Sequence, residues 1–339
     1  DLWQSVAKFE VQGLPKSALD VVETISKKAD KDNNNVQRIK ALLFKSKFAL
    51  TLEEDAQLTI INSFKSQIAT SVFPTKNIVE NLLANLYWQY FQQNRYQFYN
   101  RTKTSEKVDK EDFRTWDLQT LFDEISLHYQ NSLKQQLLLQ LEDLKTYDEL
   151  LILQEDSKIV RPTLFDFLAH NALEFYRTDE NSITKPDYKF ETDNEQFLSD
   201  AKKFSRLDIT SRDSTSLQLQ ALKLYQALVQ FHAKDKTPYA LADIDIKRLL
   251  YIKQHATFNN KDVALLNALS TESSRLSNHE VSALYDFEIA SIYAQQGNAY
   301  QPITDETPRW KTKEAFDICN TIIQKFPNSK GAEKCQVLK

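Results

Sequence analysis

Only three glycines, Gly13, Gly297 and Gly331, occur in the 339 residues of this chain. Hairpin turns, barrels and phosphate-cradling loops all draw on positive φ or on close backbone approach, and glycine is the residue that supplies both. So small a supply disfavours all of them and predicts an all-α protein. Hydrophobic residues make up 41% of the chain and charged residues 27%, enough apolar surface for a large helical core in one extended domain or two lobes.

The stretch from Phe73 to Asn100 organises the rest. Ile78, Leu82, Leu83, Leu86, Tyr87, Tyr90 and Phe91 recur at helical spacing and predict one broad apolar face of a long helix, with Pro74 in its first turn. Past Phe91 aromatic rings alternate with amides and guanidinium groups, from Asn94 to Arg101. Such rings bury area while their polar ends reach exposed backbone, so Trp88, Tyr96, Tyr99 and Trp116 are expected to form an aromatic knot. That knot is a structural expectation, not a catalytic one.

In chain order, Asp1 to Gln12 predicts a first helix ended by Gly13, and Pro15 starts a second with a stripe of Ala18, Val21, Val22, Ile25 and Ala29. A polar turn at Lys31–Asn35 leads to a return helix over Val36–Leu52, and a further helix runs near Ala56–Thr70. Lys103–Asp112 is charged and reads as an exposed loop; Asp117 or a nearby polar residue then caps a helix through Tyr129. The leucine-rich Lys134–Leu153 predicts two shorter helices, and Arg161-Pro162-Thr163 opens another that runs to about Tyr176. Residues 1–180 thus read as an N-terminal helical lobe, 181–193 as a linker, and 194–339 as a C-terminal helical lobe that continues into domains beyond this chain. Within the second lobe helices are expected over 194–207, 217–233, 239–256 and 262–276.

The end of the chain carries the clearest repeat. Small residues Ala283, Ala290 and Ala294 alternate with Leu284, Phe287 and Tyr293 before Gly297; Ala315, Ile318, Cys319, Ile322, Ile323 and Phe326 line a partner helix stopped by Pro327. Small residues that let two helices approach, closed by a proline, resemble a tetratricopeptide repeat. The whole chain is accordingly expected to stack antiparallel helical hairpins as a tetratricopeptide-like α-solenoid. The insert Gln301–Arg309 departs from the repeat, and Pro302 and Trp310 either form a contact surface or pack back on the hairpin.

Several phrases are long and unusual: LWQSVAKFEVQGLPKSALDVVETISKKA from Leu2, LYWQYFQQNRYQFYNRT from Leu86, RTWDLQTLF from Arg114 and RPTLFDFLAH from Arg161. Together they resemble the helical N-terminal region of the large alpha-2-macroglobulin-like proteins of Bacteroidetes. The resemblance implies a non-catalytic scaffold or interaction region of an envelope protein that traps or inhibits proteases. The partners implied are the downstream macroglobulin domains or an envelope protein, with proteases met through the full-length molecule. It also implies a periplasmic or cell-surface location with the secretory signal removed. The family's thioester motif, CxEQ, is absent: Cys319 is followed by Asn-Thr-Ile and Cys335 by Gln-Val-Leu.

Candidate chemistry is sparse. The five histidines, at 128, 170, 232, 255 and 279, show no HExxH or related ligand spacing, so no metal site or cofactor is expected. His170 beside Asp166 reads as a hydrogen-bonded core histidine. Carboxylate pairs such as Glu53-Glu54 and Asp243-Asp245 are expected on solvated helix faces. No nucleophile elbow and no glycine-rich phosphate loop appears, so no enzyme is expected. Cys319 and Cys335, sixteen residues apart, either bridge adjacent helices as a disulfide or are two buried small side chains. A net charge of −4 provides no basic field for nucleic acid. No run approaches the roughly 18 apolar residues that span a bilayer. Asn100-Arg101-Thr102 matches a glycosylation sequon, a pattern common by chance. A stand-alone repeat adaptor for peptides and a glycan-binding envelope protein are the alternatives; the latter predicts carboxylates or rings converging in a cleft.

Overall fold

A computed structural model describes residues 2–99, 109, 111–152, 154, 156–179 and 188–339. Among these residues the chain is all-α, with neighbouring helices packed in sequence as in an α-solenoid. It divides into two compact units, 1–184 and 185–339. The sequon at Asn100, and all of the Lys103–Asp112 loop but three residues, lie outside the described residues.

The first unit begins with α1 (Leu2–Val11), α2 (Pro15–Lys31), α3 (Asn35–Leu52), α4 (Ala56–Thr70) and α5 (Thr75–Tyr99), each packed on the next. Gly13 takes φ +68 to turn the chain between α1 and α2. After α6 (Leu118–Ser132), capped by Asp117, the leucine-rich stretch forms only the four-residue α7 (Gln136–Leu139) and a 3₁₀ helix over Leu144–Leu150. A further short helix, α8 (Ser157–Val160), precedes α9 (Leu164–Tyr176). Thr163 starts α9 with a capping box: its hydroxyl accepts from the Asp166 N–H, and the Asp166 carboxylate accepts from the Thr163 N–H.

The hub of this unit is α5, which touches α3, α4, α6 and α9. Every residue from Asn77 to Asn81 is buried, so the expected single apolar face is replaced by burial on all sides. Polar residues that faced water in the sequence reading therefore lie inside, where they must be bonded. Asn77 Nδ2 donates to the carbonyls of Ser132 and Lys134 at 3.0 and 2.9 Å. Asn81 Nδ2 donates to Ser132 Oγ and to the Leu168 carbonyl, while its Oδ1 accepts from Asn171. These bonds tie α5 to α6 and α9.

The aromatic knot exists with partly different members. Trp88 packs on Phe122 of α6 and Phe175 of α9 at 6.0 and 5.3 Å, and Tyr87 meets Phe113 and Trp116 at 5.2 and 5.9 Å. Trp116 is buried and its indole donates to the Asp109 carbonyl at 2.6 Å. Tyr96 and Tyr99 are not in it: they are 78% and 39% exposed. Asn94 departs from helical geometry, and its side-chain amide takes the Tyr90 carbonyl at 2.9 Å. In the last turn Phe98, seven residues after Phe91, is the side chain that enters the core.

The second unit opens with irregular backbone. Thr192 is fully buried and its carbonyl accepts from Thr257 N–H, and Phe190 N–H donates to Asp213, which ties this end of residues 181–193 to the second unit. The helix expected over 194–207 is instead a 3₁₀ turn, Glu195–Leu198, and one short helix, α10 (Ala201–Phe204). The regular part follows as α11 (Leu217–His232), α12 (Tyr239–His255), α13 (Lys261–Arg275), α14 (Ser282–Gly297), α15 (Lys311–Lys325) and α16 (Lys330–Leu338). Gly331 is required where α16 meets α14: a Cβ there would lie 2.5 Å from Ala283 backbone atoms.

Two substitutions separate knot from surface. Trp116→Ala is expected to cost about 3–5 kcal/mol, as for a buried large aromatic, and Tyr96→Ala to stay within about 0.5 kcal/mol, as for an exposed site. Urea unfolding followed by circular dichroism measures both.

Candidate functional site

Three arrangements bring polar chemistry together. The first is a groove of about 710 Å³ in the first unit, between α1, α2 and α3. Its floor is Ile25 and Ala29, the inner stripe of α2. Its wall is a polar ladder: Trp3 Nε1–H donates to Gln37 Oε1, and Gln37 Nε2 donates to Glu149 Oε2, each at 2.6 Å. Lys40 Nζ stands 3.7 Å from the same carboxylate and 4.6 Å from the Trp3 ring centroid. Lys28, Asp32 and Asn34 form the exposed rim, and Asn34 also caps α3 by accepting from Gln37 N–H.

The second is a buried acid–imidazole cluster joining α5 to α6. His128 Nδ1 lies 2.5 Å from Glu80 Oε2, and Nε2 lies 3.5 Å from Glu124 Oε1. Burial alone would lower the imidazole pKa; the hydrogen bonds from Glu124 and Glu80, with their negative charges, outweigh it and hold the value above the usual 6.5. Nδ1 bonds to Glu80 of α5 and Nε2 stands near Glu124 of its own helix, so the ring links α6 to α5.

The third lies in the second unit, where α12 is buried on most of its surface. Asp243 faces outward to Lys247, as carboxylates on a helix surface should, but Asp245 is fully buried and is a correction to the solvated-face expectation. Its Oδ1 accepts from Arg248 Nε and Nη2 at 2.9 and 2.5 Å, and its Oδ2 accepts from the Tyr285 hydroxyl at 3.2 Å. The Arg248 guanidinium, also without exposure, donates to the carbonyls of Phe197 and Ser199 and stacks 4.2 Å over Phe204. Glu272 accepts from the Ala201 N–H and from Arg275; burial and then the Asp245 charge push its pKa up against the pull of Arg275. Gln226 serves the carbonyls of Phe204 and Leu207. Side chains of the regular helices thus satisfy the backbone of 195–207, which is why that stretch need not be helical.

The residues singled out in the sequence are dispersed. Trp88 and Trp116 lie in the core of the first unit; Tyr96 and Tyr99 lie on its surface. Cys319 and Cys335 are free thiols, not a disulfide, buried together in one cluster with Ala283, Ala315 and Ala332. Burial, with a hydrogen bond to Cys319 next in size, pushes the Cys335 thiol up to about 12, so it is an inert core group. His170 is buried with Nδ1 bonded to the Asp166 carbonyl at 2.8 Å, a core histidine as its setting suggests. Pro302 and Trp310 do not pack back: Trp310 is 61% and neighbouring Ile303 93% exposed. Among the described residues no group of three His, Cys, Asp or Glu side chains is disposed to hold a metal ion. No helix among them is long and apolar enough to cross a membrane. Sequence reasoning missed the groove and both buried ionic clusters. The i,i+3 spacing of Asp245 and Arg248 and the i,i+4 spacing of Glu124 and His128 were visible, but such pairs usually sit on solvated faces.

Compared with models of known protein families, with curated proteins and with solved structures, the chain matches none.

Two measurements test these clusters. Arg248→Met leaves Asp245 charged and unpaired in the interior and is expected to cost about 3–5 kcal/mol. The Asp245→Leu/Arg248→Met double variant should cost less than the sum of its singles in the same urea titration. For His128 the folded-state pKa lies above the unfolded one, so its stabilisation is complete below about pH 6.5 and fades as pH rises through the raised value. The stability gap between the native chain and His128→Gln should therefore shrink from pH 6 to pH 9.

Proposed function

We propose that this chain is a non-catalytic helical scaffold, the tetratricopeptide-like N-terminal region of a large alpha-2-macroglobulin-like envelope protein. The observation that carries this reading is how the buried ionisable groups are used. Arg248, paired with Asp245 in α12, reaches the carbonyls of Phe197 and Ser199; Asp245 reaches Tyr285 of α14; and His128 of α6 reaches Glu80 of α5. A chain whose interior charges fasten helices together is suited to presenting surfaces. The exposed Pro302–Trp310 loop, inserted between two closely packed helices, is one such surface.

On this reading the partners are the downstream macroglobulin domains or an envelope protein, and protease trapping or inhibition belongs to the full-length molecule, in the periplasm or at the cell surface. The long phrases beginning at Leu2, Leu86, Arg114 and Arg161 support the family assignment.

The test is immunodetection of the native polypeptide in fractionated cells of the source organism. A species several times heavier than 39.5 kDa in the envelope fraction is expected. A cytosolic species of about that mass overturns the reading and leaves a stand-alone peptide adaptor.

A further inference from the structure

We propose that the groove between α1, α2 and α3 is a binding site for a neutral saccharide. Its volume of about 710 Å³ falls within the range of sites that enclose small ligands. Its chemistry is mixed in a particular way. Ile25 and Ala29 form a buried apolar floor that keeps little surface of its own, so the polar rim sets the recognition.

The rim carries both acceptors and donors. Glu149 already accepts from Gln37 through Oε2, which leaves Oε1 and further lone pairs for hydroxyl donors. Asp32 offers a second carboxylate, while the Lys28 ammonium and the Asn34 amide offer N–H donors. A hydroxyl both donates and accepts, so a polyol satisfies both sets at once.

Charge narrows the class. Asp32 and Glu149 are matched by Lys28 and by Lys40, so the groove selects neither a cation nor an anion. An extended peptide is a poorer occupant, because it needs a strand edge or a row of apolar pockets, and the floor here is a single pair. The Trp3 ring does not act as the stacking platform: Lys40 lies over it and Phe44 packs 4.8 Å away. The indole instead fixes Gln37, which fixes Glu149, so the acceptor is oriented before any ligand arrives. The site stands whether or not the chain is part of a larger envelope protein.

The experiment is isothermal titration of the full chain with four neutral linear hexasaccharides, built of glucose, xylose, mannose and N-acetylglucosamine, beside one lysine-rich and one glutamate-rich peptide. Saturable binding of at least one hexasaccharide is expected, weakened tenfold or more by Glu149→Gln and by Asp32→Asn, about what one lost charge-assisted hydrogen bond removes. Both positions are exposed, so the helical circular dichroism and melting temperature of the variants should be unchanged. The Trp3 indole N–H resonance should shift on binding. Silence of all four hexasaccharides overturns the proposal, as does binding that both variants leave intact or binding of a peptide alone.

Discussion

Burying a helix on every side forces polar residues into the interior, and the fold depends on bonding the buried amides and charges. An unbonded amide or an unpaired charge away from water costs more than most single contacts return. In the first unit the α5 amides of Asn77 and Asn81 answer this by bonding to α6, α9 and the turn after α6. In the second, one guanidinium does so. Arg248 holds Asp245 in its own helix and two carbonyls of the irregular segment 195–207. Each unit is thereby locked in one arrangement, since a shifted helix would leave several polar groups unsatisfied at once.

The apolar packing is built around these fixed points. Trp88, Phe122 and Phe175 fill the space between α5, α6 and α9, the three helices that the asparagines join. At the end of the chain packing has the opposite character. There, Gly331 and Ala283 let α14 and α16 approach until a methyl group no longer fits, and two buried thiols fill the remaining space. Large rings need gaps between helices; close backbones need small residues. The two regions are two answers to the same requirement for interior density.

Function follows from what this packing leaves outside. The interior ionic groups are consumed in fastening, while the surface keeps an inserted loop with an exposed indole and a walled groove with oriented acceptors. Both are surfaces that the packing leaves open. The groove brings the Trp3 indole and the carboxylates of Asp32 and Glu149 to one cleft. Its members come from residues 2 to 37 and from residue 149, and nothing local links them. The same holds for Glu80 and His128, forty-eight residues apart.

Much of the helical course was legible because periodicity and caps are local. Asp117 and Thr163 were readable as helix starts, Gly13 as a stop, and the alanine rows of the last hairpin as close-packing surfaces. Tyr96 and Tyr99 misled because the helix departs from regular geometry at Asn94, and beyond it Phe98 packs on Tyr90 and Phe91 while the two tyrosines stay exposed. Residues 194–207 misled because the carbonyls of Phe197, Ser199, Ser205 and Leu207 found side-chain partners in Arg248, Gln230 and Gln226, which leaves room for short turns in place of one continuous helix. By itself, then, the sequence determined the all-α class, the course of most helices and the tight seams of the terminal repeat, all set by backbone chemistry within a few residues. Only the tertiary structure decided which polar residues went inside, which rings formed the knot and where a cleft opened, because burial is a property of neighbours that the chain brings together from far apart.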